Sequence, residues 1–370
     1  MIDFRYHIVS LIAVFLALSV GIVLGAGPLR DSIGDTLTGQ VQDLREDRDQ
    51  LRVSLETAER DVTERTTYLE ESAPVLLENT LTDRRVTVVT LPGTVTEDVE
   101  ELRDRLARAG AEVVGEVAVT EAWTDADTLS FRQTFAGQLL GYMDDAPAED
   151  AGAEAIFGAA LAQALTGTGE ELSEDAATLV DLLTSAEAPL ITLTEEPAVP
   201  AHATVLVGPR PAELPTEEED PEEVEAAAET LAGHVRLAEA LAQAAPSVTV
   251  GAAVSDRDLV TAVRDDEAAA GAATTVDSVG EVTAAISAPL ALAVSISGAV
   301  DAYGFGLGAE VPVPPRVELP LLAPDVTPAE PSQDGTAGVE ETTAGQETTA
   351  GEETSAPAED ATADGEDGAA

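Results

Sequence analysis

No cysteine occurs in the chain, and no lysine either: all 18 basic side chains other than histidine are arginine. Without thiols there is no disulfide, no thiolate metal site and no cysteine nucleophile. Methionine stands only at Met1 and Met143, so the thioether clusters that suit Cu(I) are missing as well. Aromatic residues are 3% of 370, and a core must be assembled from Ala, Val and Leu. The arginines face 71 acidic residues, for a formal net charge of −53. A field of that sign opposes a phosphate polymer, so nucleic acid is not an expected partner.

Catalytic and nucleotide motifs are also missing. There is no Walker-type loop and no Gly-x-Ser-x-Gly elbow. Gly167-Thr168-Gly169 lacks the third glycine of a dinucleotide fingerprint and reads as a loop. His7, His202 and His234 lie far apart and read as structural or exposed. The acidic run 217–220 reads as solvated charge. No cofactor is evident, no metal ligand set is assignable, and the chain is not expected to be an enzyme.

What the chain does have begins at its N-terminus. After a short tail, 1–7, residues 8–29 carry no charge and are dominated by Leu, Ile, Val and Ala. About 20 apolar residues span the hydrocarbon core as a helix. Ile8, Leu11, Phe15, Leu16, Leu18, Val23 and Leu24 are the expected lipid-facing anchor. Phe4, Arg5 and Tyr6 precede it, as residues at a membrane interface do. The rival reading is a cleaved signal peptide ending near Gly25-Ala26-Gly27. The apolar run is longer than signal peptides use, which favours an uncleaved single-pass anchor with an extracytoplasmic soluble part.

A heptad pattern follows over 34–73. Leu37, Val41, Leu44, Leu51, Leu55, Ala58, Val62 and Leu69 recur in steps of three and four, interrupted at Arg48 and Arg65. Such a seam is that of a coiled coil, pairing with a second copy or with a partner's helix. Pro74 is expected to end the helix.

Residues 84–317 read as a soluble α/β domain, in one piece or as two halves, 84–145 and 172–317. Strand 84–91, a helix opened by Thr94 and Glu97 at capping-box spacing, and strand 111–120 form a β-α-β unit. Residues 144–154 are a polar connection and 209–221 a surface loop. Helix 174–186, strands 190–193 and 204–207, helix 222–244, strand 247–253, helix 256–268, strand 274–277 and a helical stretch 280–302 continue the alternation. This predicts a doubly wound, mostly parallel sheet. Gly304, Gly306 and Gly308 around Phe305 and Leu307 predict a tight turn packed on the domain. The acidic stretch 318–370, with Glu-Thr-Thr-Ala-Gly at 341–345, has too few apolar residues to offset ordering and is expected to be a disordered tail.

One stretch carries a resemblance. Phe4-Arg5-Tyr6-His7-Ile8-Val9-Ser10, continuing through Ala13–Leu18 and Gly21–Gly25, is similar to the signature of the mycobacterial-type copper transport protein B family. The late Tyr303-Gly304-Phe305-Gly306 agrees. The resemblance implies an actinobacterial envelope protein of copper transport or homeostasis, in a family with members described as channel-like in the outer membrane. It also implies kinship with proteins that hold a membrane partner in division and peptidoglycan remodelling. Copper enters through this resemblance alone.

Overall fold

The computed structural model describes residues 4–26, 28–148, 151–185, 188–211, 220–320 and 322. The run 217–219, most of the expected surface loop and the tail from 323 onward lie outside the described residues.

Two helices open the chain, α1 over Phe4–Ala26 and α2 over Pro28–Leu77. Pro74 does not end α2, a correction to the sequence expectation. The helix carries on because Ala73 and Leu77 are fully buried in the domain core. The Glu78 N–H then donates to the Pro74 carbonyl at 3.1 Å, so the proline costs one hydrogen bond in a turn held by packing.

The remaining chain folds around one seven-stranded sheet. Its strands are β1 (Arg85–Thr90), β2 (Glu112–Val119), β3 (Ile191–Glu195), β4 (Ala203–Val207), β5 (Ser247–Val250), β6 (Thr274–Val276) and β7 (Ala302–Tyr303). Their order is β3-β2-β1-β4-β5-β6-β7. All neighbours are parallel except β2 and β3. The sheet is open, with β3 and β7 as its edges. The two strands of the first expected half, β1 and β2, lie side by side between β3 and β4 of the second.

The central strands β1, β4 and β5 are covered on both faces, as parallel strands require, while the antiparallel edge strand β3 is mostly exposed beyond Ile191. Val86 and Val88 of β1, Val205 of β4, and Val248 and Val250 of β5 point to one core. That core is closed by the end of α2, by α3 (Thr96–Arg108) and by α10 (Val282–Ile296). Val89, Val117 and Leu206 point to the other. There lie α4 (Leu129–Leu139), α5 (Ala153–Leu165), α6 (Glu174–Ser185), α7 (Pro221–Ala244), α8 (Leu259–Asp265) and α9 (Glu267–Ala272). The period of two in burial follows from the pleat.

Several local expectations are corrected. The Thr94 side chain does not cap α3, whose cap position is Val95; its hydroxyl donates to the Val207 carbonyl at 3.0 Å, at the end of the neighbouring strand. Helix 256–268 is two helices, because the Asp266 carboxylate accepts from the N–H groups of Ala268 and Ala269 and starts a new one. The stretch 280–302 is helical only over α10; Gly298, at φ +89°, ends it. Order continues beyond 317, with Leu319 packed on the core and the Pro320 carbonyl bonded to Arg84.

Candidate functional site

In open α/β sheets, ligands favour the crevice at the carboxyl ends of the strands where the chain order reverses. Here that point lies between β1 and β4, because β1 leads through α3 to β2 on one side while β4 leads through α7 to β5 on the other. The crevice is filled. The Leu91 N–H donates to the Val207 carbonyl at 2.9 Å. Arg210 clamps Asp98 through two hydrogen bonds of 2.8 and 2.6 Å. Its guanidinium lies on Gly280, where a Cβ would come within 2.5 Å of Nε. A hollow of about 20 Å³ remains nearby, room for one water.

The glycine turn predicted after the last helix is present and is built around a buried carboxylate. Asp277 follows β6 and is 2% exposed. Its Oδ1 accepts the Phe305 N–H at 3.0 Å and the Ser278 hydroxyl at 2.8 Å. Its Oδ2 accepts the Gly306 N–H at 2.8 Å and an Arg264 N–H at 3.1 Å. Arg264 also donates to the carbonyls of Tyr303 and Leu307, at 2.7 and 2.8 Å, and to the Thr275 hydroxyl at 3.0 Å. Burial pushes the Asp277 pKa up, but the hydrogen bonds from Phe305, Gly306, Ser278 and Arg264 outweigh it and hold the carboxyl below its ordinary value. Burial draws the Arg264 guanidinium down against the pull of Asp277.

This hub explains the glycines. Gly304 has φ +129°, and a Cβ there would sit inside the Asp277 carboxylate. At Gly306 a Cβ would meet the Ala253 carbonyl at 2.5 Å. Tyr303 is buried, and its phenol is pushed up to about 12 by burial and by Asp301. Phe305 is 69% exposed and Leu307 is also exposed. The Leu307 N–H donates to the Ala253 carbonyl at 2.8 Å, next in sequence to the exposed Val254. The turn therefore presents apolar side chains on a fixed backbone. Asp277 and Arg264 escaped the sequence reading; the signal that could have found them was an acid directly after a buried strand in a chain with 18 basic residues against 71 acidic ones.

The other predicted residues lie along α1 and α2. Ile8, Leu11, Phe15, Leu16, Leu18, Val23 and Leu24 are all exposed in α1. Phe4–Gly25 is long and apolar enough to cross a membrane, with none of it buried against the rest of the chain. In α2, Leu37, Val41, Leu44, Leu51, Leu55, Ala58 and Val62 are exposed, Leu51 at 71%. Leu69 packs on the domain core. Among the described residues no second helix lies along the seam between 37 and 62.

Among the described residues no group of three or more His, Asp or Glu side chains is arranged to hold a metal ion. The family model described as "Copper transport outer membrane protein, MctB" matches residues 1–314. The copper transporter MctB of Mycobacterium tuberculosis is 28% identical over 135 residues, 35% of this chain and 41% of that protein. Its counterpart in Mycobacterium bovis matches to the same extent. The Mycobacterium leprae protein is 29% identical over 128 residues, 35% of this chain and 40% of its own length. The alignments thus span less than half of these relatives. The family match covers α1, α2 and the whole sheet, and on that match the chain belongs to the MctB family of copper transport outer membrane proteins.

Proposed function

We infer that this chain is a membrane-anchored envelope protein that serves copper homeostasis through assembly on its stalk rather than through catalysis. The family match and the names of the relatives support the copper role. The observation that carries the mechanism is the unpartnered apolar seam of α2, set between an apolar helix and a folded domain. Apolar side chains at heptad spacing gain their burial only when a second helix covers them. Cu(I) favours thiolate and thioether ligands, and the chain has no cysteine and two methionines. The stalk is therefore read as holding a second copy or an envelope partner, with the α/β domain displayed outside the cytoplasm.

Leu51→Asp with Leu55→Asp tests this. Two carboxylates in a paired seam cost several kcal/mol, on the scale of a short coiled coil's whole stability. Crosslinking in native membranes should lose the assembled species, while expression and membrane location stay unchanged. A deletion strain should be copper-sensitive, and the double variant should fail to rescue it. Assembly and rescue at wild-type level would move the activity from the stalk to the domain. A second reading, a scaffold that regulates an envelope-remodelling partner, rests on the same seam; a strain with normal copper tolerance but defective division would favour it.

A further inference from the structure

At the amino ends of β1, β4 and β5, the opposite end of the strands from the filled crevice, the chain leaves a cleft of about 820 Å³, within the range of small-molecule sites. Arg84, just before β1, lines it and is 4% exposed. Its Nη2 donates to the Pro320 carbonyl at 2.5 Å, while Nε and Nη1 are buried without a partner. Arg85, the next residue, donates from Nη2 to the Gly169 carbonyl at 2.8 Å, and its Nε is likewise unpartnered. Among the described residues neither guanidinium forms an ion pair with a carboxylate, in a chain with 71 acidic residues.

His202 sharpens the point. It lines the same cleft, its Nδ1 faces the Arg85 N–H at 3.1 Å, and its Nε2 lies 2.9 Å from Arg85 Nη2. Both neighbours are donors, and a neutral imidazole accepts at only one nitrogen. Under either tautomer one contact sets donor against donor. Burial, then Arg85 and Arg84, hold the imidazole below its usual pKa. An anionic oxygen among Arg84, Arg85 and His202 would accept from the free donors and relieve the conflict. Carboxylate suits a guanidinium in charge and in planar geometry.

The rest of the cleft limits what that anion belongs to. Asp144, Asp145 and Glu239 also line it. Gln163 of α5 accepts from the Asp144 N–H and donates to the Tyr142 carbonyl, both at 2.9 Å, which ties the acidic turn to a core helix. These carboxylates stand too far from Arg84 to pair with it, and they repel a polyanion. The lining also includes the small apolar side chains of Ala155, Ala159 and Ala240. A ligand with one carboxylate, one ammonium and small side chains matches both signs of charge in the lining.

We propose that this cleft binds a short zwitterionic peptide, its C-terminal carboxylate on Arg84 and His202 and its ammonium toward Asp144, Asp145 and Glu239. The site is independent of the stalk and of copper. The full chain in nanodiscs, with ¹⁵N-labelled histidine, is titrated with tri-alanine bearing free termini. The His202 imidazole should then titrate about one pH unit higher, as opposite charge at contact produces, while His7 does not move. The C-terminal amide and the N-acetyl form should each bind at least tenfold more weakly. Arg84→Gln should abolish binding. Because Arg84 also holds Pro320, Glu239→Gln on the cleft rim serves as the gentler variant, weakening tri-alanine but leaving acetate unaffected. The proposal falls if tri-alanine leaves His202 unmoved, or if acetate or inorganic phosphate binds as tightly as tri-alanine. It also falls if deleting residues 323–370 lowers the His202 pKa without any probe, since the chain's own acidic tail, which follows the cleft-lining Leu322, would then be the occupant.

Discussion

Replacing Asp277 with asparagine changes one oxygen to an NH2 group in a site where four donors converge. The carboxylate accepts from Phe305, Gly306, Ser278 and Arg264. Asparagine keeps one oxygen, so it serves either the Phe305 and Ser278 pair or the Gly306 and Arg264 pair, and its amide hydrogens face the pair it abandons. It also leaves the Arg264 guanidinium, a side chain 4% exposed, without its counter-charge. Breaking a buried ion pair from one side costs about 3–5 kcal/mol, against a total stability of about 5–15 kcal/mol for a domain. The assay is urea unfolding followed by Trp123, the single tryptophan, which is fully buried in the core on the other face of the sheet. The midpoint should fall steeply with the slope unchanged. Gly304→Ala should also destabilise, through the clash with Asp277 and the positive φ. In the Asp277→Ala background much of that clash is gone, so the two changes should couple by about 1–3 kcal/mol. An Asp277→Asn chain within about 1 kcal/mol of wild type would refute the hub, because two of the four hydrogen bonds and a buried counter-charge cannot be lost without effect.

Much of this domain was legible where burial and pleat agree. The strands β1, β4 and β5 are short β-branched runs buried on both faces, and α7 begins at Asp220, whose carboxylate accepts the Glu222 N–H at 3.0 Å. The helix α5 was not legible, because it is apolar on nearly every side: Phe157, Ala160, Leu161, Ala162, Ala164 and Leu165 are all buried. A helix without a polar face has no period to read. The two-residue strand β7 is too short for any pattern and exists through its pairing with β6. The glycine turn was readable as a turn, since alternating glycines announce unusual backbone. What it wraps was not, because Arg264, Asp277 and Phe305 are brought together by the parallel sheet and not by spacing. The same holds for the cleft at the other end of the strands: Arg84 and His202 are 118 positions apart in sequence and meet because β1 pairs with β4.

Three further outcomes follow from the anchor, the tail and one buried histidine. Leu16→Arg should cost about 3 kcal/mol of membrane insertion; a wild-type chain that fractionates as soluble with a new N-terminus near Pro28 would show a cleaved signal instead. Deleting residues 325–370 should leave the melting temperature within about one degree, because that stretch offers few apolar residues to bury; a larger drop would mean that it packs on the domain. His234 of α7 is 9% exposed, its Nε2 has no hydrogen-bond partner, and burial lowers its pKa from 6.5 to about 4. The folded state therefore resists a proton that the unfolded chain accepts, so this contribution is complete above pH 6.5 and drains away as the pH falls towards 4. At about 1.36 kcal/mol per pH unit the full loss is about 3 kcal/mol. Urea midpoints at pH 7 and pH 4.5 should differ by less in His234→Leu than in wild type, since the carboxylate contribution is common to both chains and cancels. Equal acid sensitivity in the two would mean that His234 already carries its proton in the fold, and that its unpaired nitrogen faces an acceptor.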